Sequence, residues 1–327
     1  MFRLKPICLF FLPVLALFSC GNEVPINAEW KETIIVYGLL DPADSVQYFR
    51  IEKAYLDGKT SALVTAKITD SLILDPASVV LFRADDTNNK IVLQRVWNVK
   101  KDSGIFGNDK NALYKTAVPI AADKEYVVEA RSLKTGQRVW AQTRTIAPAQ
   151  ITGPVKSNAN VFSIGGEFIA FEWLPKANSY NYDVKMEVVY DEFLKTDTSN
   201  KVRKTARWNV LSNWFVEPNK IAIARVPRLA FLQFLSSSIS ADSVTNRRIL
   251  YANFLYYGGN QTLSDYISVN QPSIGIVQKT AEYTNINGGY GIFASRCFQP
   301  IRGVKFSGSS INFLRNNIET YRLHFVP

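Results

Sequence analysis

Apolar and polar positions alternate through most of this chain, and their period is two. Ile34-Ile35-Val36-Tyr37 is apolar on both faces and runs to Gly38, after which Asp41-Pro42-Ala43-Asp44 has the chemistry of a turn. Gln47 to Tyr55 alternates, with Phe49 and Ile51 inward and Arg50 and Glu52 toward water. Further short strands are predicted at Val79–Phe82, Ile91–Trp97, Ala112–Ala117, Tyr126–Ala130 and Arg138–Thr143. Turn-rich pieces separate them: Asp85-Asp86-Thr87-Asn88-Asn89, Asp102-Ser103-Gly104 and Lys134-Thr135-Gly136. About seven strands at this spacing predict an immunoglobulin-like β-sandwich over residues 33–147.

Ala147-Pro148 to Pro154 is the expected linker, and a second β-rich module should fill residues 155–327. Ile169, Phe171 and Trp173 alternate on one strand; Tyr180, Tyr182, Val184, Met186, Val188 and Tyr190 alternate on the next. A hairpin across Pro175-Lys176-Ala177 would make this module fibronectin-like. Asn181, Asp183, Lys185, Glu187 and Asp191 fall on the opposite, solvated face. A helix is expected from Pro227 through Leu229, Phe231, Leu232 and Leu235 toward Ser238, because proline suits the first helical position. A strand at Ile249–Tyr257 should break at Gly258-Gly259-Asn260. Thr262-Leu263-Ser264-Asp265 then looks like the cap of a short helix. The fold class is therefore mainly β: one sandwich, then a helix-inserted module.

The N-terminus follows a different pattern. Arg3 and Lys5 precede an apolar run, Ile7–Phe18, that is shorter than the ~20 residues of a bilayer-crossing helix and contains Pro13. Leu17-Phe18-Ser19-Cys20 resembles the bacterial lipobox. Residues 1–19 are thus expected to be a signal peptide, and Cys20 the lipid-attachment residue. Several acyl chains at ~0.8 kcal/mol per buried methylene would hold the chain durably on a membrane. Residues 20–32 form the expected lipidated tether, about a dozen residues that reach at most ~40 Å.

Charge and cysteine usage narrow the chemistry. The formal charge is +10, and loss of Arg3 and Lys5 with the signal leaves +8. No dense Lys/Arg tract accompanies it, so nucleic acid is not an expected partner. After lipidation Cys297 is the remaining thiol and no intrachain disulfide can form, so the fold must rest on core burial. With His324 as the sole histidine, zinc sites and Cys-His or Ser-His-Asp arrangements find little support, and neither a metal nor a cofactor is expected. His324 reads as a packing residue on a C-terminal strand, and Cys297 as a buried structural cysteine. Ser237 or Ser238 with a lysine base remains a formal option. Asp183 and Glu187 share a strand face but mix with Asn181 and Lys185, the pattern of a solvated sheet. Gly288, Gly289 and Gly291 invite a phosphate-loop reading, yet no Lys-Ser or Lys-Thr follows and the flanks read as strands. Asn287-Gly288 is better taken as a tight turn, with Gly291 allowing close backbone approach.

Tyr37-Gly38-Leu39-Leu40 with Asp41–Ser45, the Trp173–Tyr182 segment, and Tyr283-Thr284-Asn285-Ile286-Asn287-Gly288-Gly289-Tyr290-Gly291-Ile292-Phe293 together resemble a family of uncharacterised cell-envelope lipoproteins from Bacteroidetes. The resemblance implies an outer-membrane lipoprotein and carries no activity. It comes from a group whose members commonly accompany β-barrel transporters or assembly machines, and the direction it faces, periplasm or cell surface, stays open. The expected function is a non-catalytic interaction subunit docked on an outer-membrane β-barrel protein or on other lipoproteins. A glycan-binding lipoprotein is the alternative, with Trp208, Trp214, Tyr256 and Tyr257 as candidate sugar-stacking residues, although the core is the more ordinary place for such aromatics.

Overall fold

The computed structural model describes residues 32–54, 67–100, 110–155, 160–271 and 282–327, together with 64 and 104. Cys20 with most of its tether, Tyr55, and residues 102–103 of an expected turn lie outside the described residues. The first half of the chain forms β1 (Ile34–Leu40), β2 (Gln47–Lys53), a one-turn helix α1 (Thr69–Leu72), β3 (Ala77–Arg83), β4 (Asp86–Val92), β5 (Gln94–Val96), β6 (Leu113–Thr116), β7 (Glu125–Ser132) and β8 (Arg138–Arg144). The second half forms β9 (Gln150–Gly153), β10 (Val161–Phe162), β11 (Phe168–Leu174), β12 (Asn181–Leu194), β13 (Asp197–Phe215), β14 (Ala222–Pro227), α2 (Arg228–Ser238), β15 (Thr245–Gly259), α3 (Gln261–Val269), β16 (Tyr290–Phe306), α4 (Gly308–Asn316) and β17 (Phe325–Val326).

The mainly β class and the helix-inserted second module are present, but one sheet runs through both halves. Its order is β13-β12-β15-β16-β1-β2-β6-β5. The strand that joins the halves is β16. Tyr290–Ser295 pairs in parallel with Ile35–Leu40, while Arg296–Val304 pairs antiparallel with Ala252–Gly259. A parallel neighbour needs a crossover connection, and here almost the whole chain is that connection.

Each half of the long sheet is covered by a smaller one. A four-stranded sheet, β4-β3-β7-β8, closes the first core over Ile34, Val36, Phe49, Leu81, Val128, Val139 and Phe293. A three-stranded sheet, β14-β11-β9, together with α2, closes the second over Phe171, Trp173, Tyr182, Met186, Phe231, Leu235 and Phe254. The alternation responsible is plain in β8, where Val139, Ala141 and Thr143 are buried and Arg138, Trp140, Gln142 and Arg144 are exposed.

Several elements differ from the expectations. The segment read as a linker includes β9, whose Ile151 pairs with Trp173. The run Ile91–Trp97 divides between two sheets, because Leu93 turns into the core and its N–H donates to the Val79 carbonyl at 2.9 Å. Residues 86–89, read as turn, open β4 instead, and the turn is shorter. Trp173 and Tyr182 do not share a hairpin ladder: they sit on opposite sheets, rings 5.4 Å apart across the core. Proline and lysine between them thus carry the chain from one layer to the other. Pro227 precedes α2 as its N-cap residue, and Asn260 caps α3 by accepting from the Leu263 N–H at 3.1 Å. Strand β13 lies at the sheet edge and is exposed on both faces over its first eight residues, Asp197 to Lys204, whereas Ala206 and Leu211 of its second half enter the second core with Trp208 and Val210 packed against it.

Candidate interaction surface

The four aromatic residues nominated from sequence do not form a common platform. Tyr256 is 0% exposed and its hydroxyl donates to the Gly153 carbonyl at 2.8 Å, so it cannot stack on a sugar. Trp208 lies flat against Phe234 of α2, centroids 5.4 Å apart. Tyr257 stacks on Phe298 at 4.8 Å on the other face of the sheet. Trp214 alone of the four is strongly exposed, at the end of β13.

The reactive groups are likewise committed to structure. Cys297 is buried, and burial pushes its thiol up to about 11. His324 is not on a strand but in the turn before β17, with φ of 48°. Ser237 Oγ donates to the Phe234 carbonyl. Ser238 shares a surface depression with Lys204, whose ammonium is bonded to Glu192. That bond raises the lysine pKa, the opposite of what a general base needs. Glu187 binds Arg207 and Asn253, and Asp183 accepts from the Asn213 N–H, the pairing of a solvated face.

The Thr284–Phe293 stretch is a fastening for β16. The Asn285 side chain acts as a missing strand: its Oδ1 accepts from the Phe293 N–H at 2.9 Å and its Nδ2 donates to the Phe293 carbonyl at 2.8 Å. Asn287 exchanges backbone bonds with Trp140 of β8, tying the two layers together. Gly288 has φ of +78°, as the turn requires. A Cβ on Gly291 would lie 2.1 Å from the Val36 carbonyl oxygen, and one on Gly289 2.4 Å from that of Ile34. Both glycines therefore face acceptors, an unfavourable place for a phosphate, and their role is close approach to β1.

A groove of about 450 Å³ lies on the face of the long sheet opposite the first core. Tyr37 and Leu39 of β1, Tyr48 and Arg50 of β2, and Ile292 and Arg296 of β16 line it, and Leu263 and Tyr266 of α3 wall one side. The register explains the grouping: Tyr37 lies opposite both Arg50 and Ile292, so their side chains share one face. Burial raises the Tyr37 pKa, with Tyr266 and Glu52 adding to it, and the phenol remains a hydrogen-bond donor.

Beside the groove, Gln47 locks the 41–44 turn by donating to the carbonyls of Asp41 and Asp44 at 2.8 and 3.0 Å and accepting from the Asp41 N–H. Asp41 is fully buried; its Oδ1 accepts from the Ala43 N–H, while its Oδ2 stands 3.7 Å from Arg296 Nε. Burial pushes its pKa up, opposed by the Ala43 N–H and Arg296. Arg296 also donates to Asp44 at 3.3 Å and Arg50 to Glu52 at 3.1 Å, so the groove's cations are positioned before anything binds. Sequence reasoning missed this site. The outward phase of Arg50 was visible, but Arg296 reaches the groove only through the pairing of β16 with β1, and Tyr266 only through the packing of α3 beside it, both more than two hundred residues from β1 and β2.

No family model matches the chain, and no curated protein matches it. Among solved structures it is similar to the C-terminal globular domain of an oligosaccharyltransferase from Pyrococcus abyssi, at 9% identity, with 65% of this chain and 45% of that chain covered and a TM-score of 0.22. A likeness at that level carries no argument about activity.

Proposed function

We propose that the chain is a lipid-anchored outer-membrane protein, held through Cys20, that serves as a non-catalytic interaction subunit of an outer-membrane β-barrel complex. The observation that carries the docking part is the Tyr37–Tyr48–Tyr266 groove, which pairs an apolar floor with two pre-positioned guanidinium groups on rigid strands. Tyrosine and arginine are the residues that most often dominate binding energy at protein interfaces, and strand-borne side chains lose little freedom on association. The anchor and the choice of partner rest on the N-terminal pattern and on the family resemblance.

Affinity purification from membranes in mild detergent tests the reading. A β-barrel protein should co-purify with the parent and be lost from a Tyr48→Ala/Tyr266→Ala variant that still folds. Recovery of the parent alone, as a monomer at native expression, counts against it.

A further inference from the structure

A second surface lies at the far edge of the long sheet. Where β13 ends and the chain crosses to β14, four large apolar side chains stand in water: Trp214 43%, Phe215 60%, Ile221 63% and Ile223 49% exposed. Trp214, Phe215 and Ile221 border one shallow depression, and Ile223 follows two residues on, along β14. The crossing is shaped by Asn213 and Asn219, both at positive φ, and Asn219 N–H donates to the Pro175 carbonyl at 3.1 Å, which brings Lys176 alongside.

The charges around the cluster are uneven. Lys220 and Glu217 border the depression and pair with each other, Arg225 lies two residues beyond Ile223 on the same face of β14, Lys176 follows Pro175, and Glu172 stands opposite Ile223, which leaves an excess of one cation. Neither Lys176 nor Arg225 has an ion-pair partner among the described residues. A tryptophan and a phenylalanine beside isoleucines, with a small excess of cations nearby, is the composition that seats a protein in the headgroup region of a bilayer. The mature chain's net charge of +8, the full +10 less Arg3 and Lys5, favours the same anionic surface.

We infer that Trp214, Phe215, Ile221 and Ile223 insert into an anionic lipid surface and set how the body lies against its membrane. Only the choice of membrane rests on the proposed anchoring; the contact itself needs no acyl chain. The test therefore uses the mature chain with Cys20→Ser and vesicles of phosphatidylcholine containing phosphatidylglycerol. The chain should co-sediment, more weakly with phosphatidylcholine alone, and lipids brominated in the acyl chain should quench tryptophan emission. Trp214→Ser with Phe215→Ser should lower the partition coefficient at least tenfold, and Phe215→Ser alone should lower it part-way. Absence of vesicle binding by the parent overturns the inference. So does equal binding by the double variant, or a double variant that keeps its lipid affinity while losing a polypeptide partner. Palmitate labelling of the unsubstituted chain reads the anchor separately, so a failure of lipidation is not mistaken for a failure of this surface.

Discussion

Replacing Gly291 with alanine tests the joint between the two halves. The residue has φ of +108°, a region that L side chains rarely enter, and an added Cβ would meet the carbonyl oxygen of Val36 at 2.1 Å and its carbonyl carbon at 2.9 Å. Both atoms belong to the backbone of β1, so no side chain can swing aside. Relief comes only by parting β1 from β16. Forced occupation of such a backbone region costs about 1–3 kcal/mol, and each ladder hydrogen bond loosened adds about 1 kcal/mol. With two bonds loosened, Gly291→Ala should cost about 3–5 kcal/mol. Gly303 supplies the control, since it also has positive φ, +70°, but no atom lies within 4 Å of an added Cβ. Alanine there should cost only the conformational part, about 1–2 kcal/mol. Urea unfolding followed by tryptophan fluorescence measures both. Equal losses at the two positions would refute the close-approach reasoning.

Other consequences are equally specific. Asn285→Ala removes both side-chain bonds to Phe293 and should cost about 2–3 kcal/mol; Asn285→Asp, which sets a carboxylate against the Phe293 carbonyl, should unfold at no higher urea concentration than the alanine variant. In the mature Cys20→Ser chain, Cys297 should resist a thiol reagent at pH 8 until denaturant is added, because its pKa is pushed up to about 11; rapid native labelling contradicts its burial. The carboxylates Asp41 and Glu192 should respond to pH with opposite signs. Burial raises Asp41, so the folded state binds more protons and the contribution of this residue falls as pH rises above the unfolded value of about 3.9. Asp41→Asn should therefore be no less stable than the parent at pH 7 and lose that advantage toward pH 4. At Glu192 burial also acts upward, but the bonds from Lys204 and Arg247 outweigh it and hold the carboxyl below its usual range. Its stabilisation is present above about pH 4.3 and lost as pH falls. Glu192→Gln should cost about 1.5–3 kcal/mol at pH 7 and converge with the parent in acid. Chemical denaturation across pH 3–8 decides both.

Local pattern carried the strands but not their partners. The phase of Phe49 and Ile51 against Tyr48 and Arg50 follows from a period of two, and it holds in β2. The helix after Pro227 was legible because Phe231, Leu232 and Leu235 recur at helical spacing, though Leu229 faces water and Phe234 is buried instead. Trp173 and Tyr182 show the limit. Alternation places both in the core, yet says nothing about whether they share a sheet. The pairing of β1 with β16 joins residues some 250 positions apart, and what marks it locally is glycine at 289 and 291, where side chains would collide with β1. Nothing in the spacing of Arg296 or Tyr266 connects them with Tyr37, so the groove appears only once the sheet is closed. Strand β13 was missed for the converse reason: its first eight residues, Asp197 to Lys204, are exposed on both faces at the sheet edge and carry no apolar alternation.

The docking claim is tested most directly in native membranes, by replacing Tyr48 with a photo-crosslinking phenylalanine and, as a control, Val92, which is exposed on β4 of the other sheet. Docking through the groove predicts one discrete adduct with an outer-membrane β-barrel protein from position 48, weakened by Arg296→Ala, and none from position 92. Absence of an adduct at 48, or the same adducts from both positions, would contradict it.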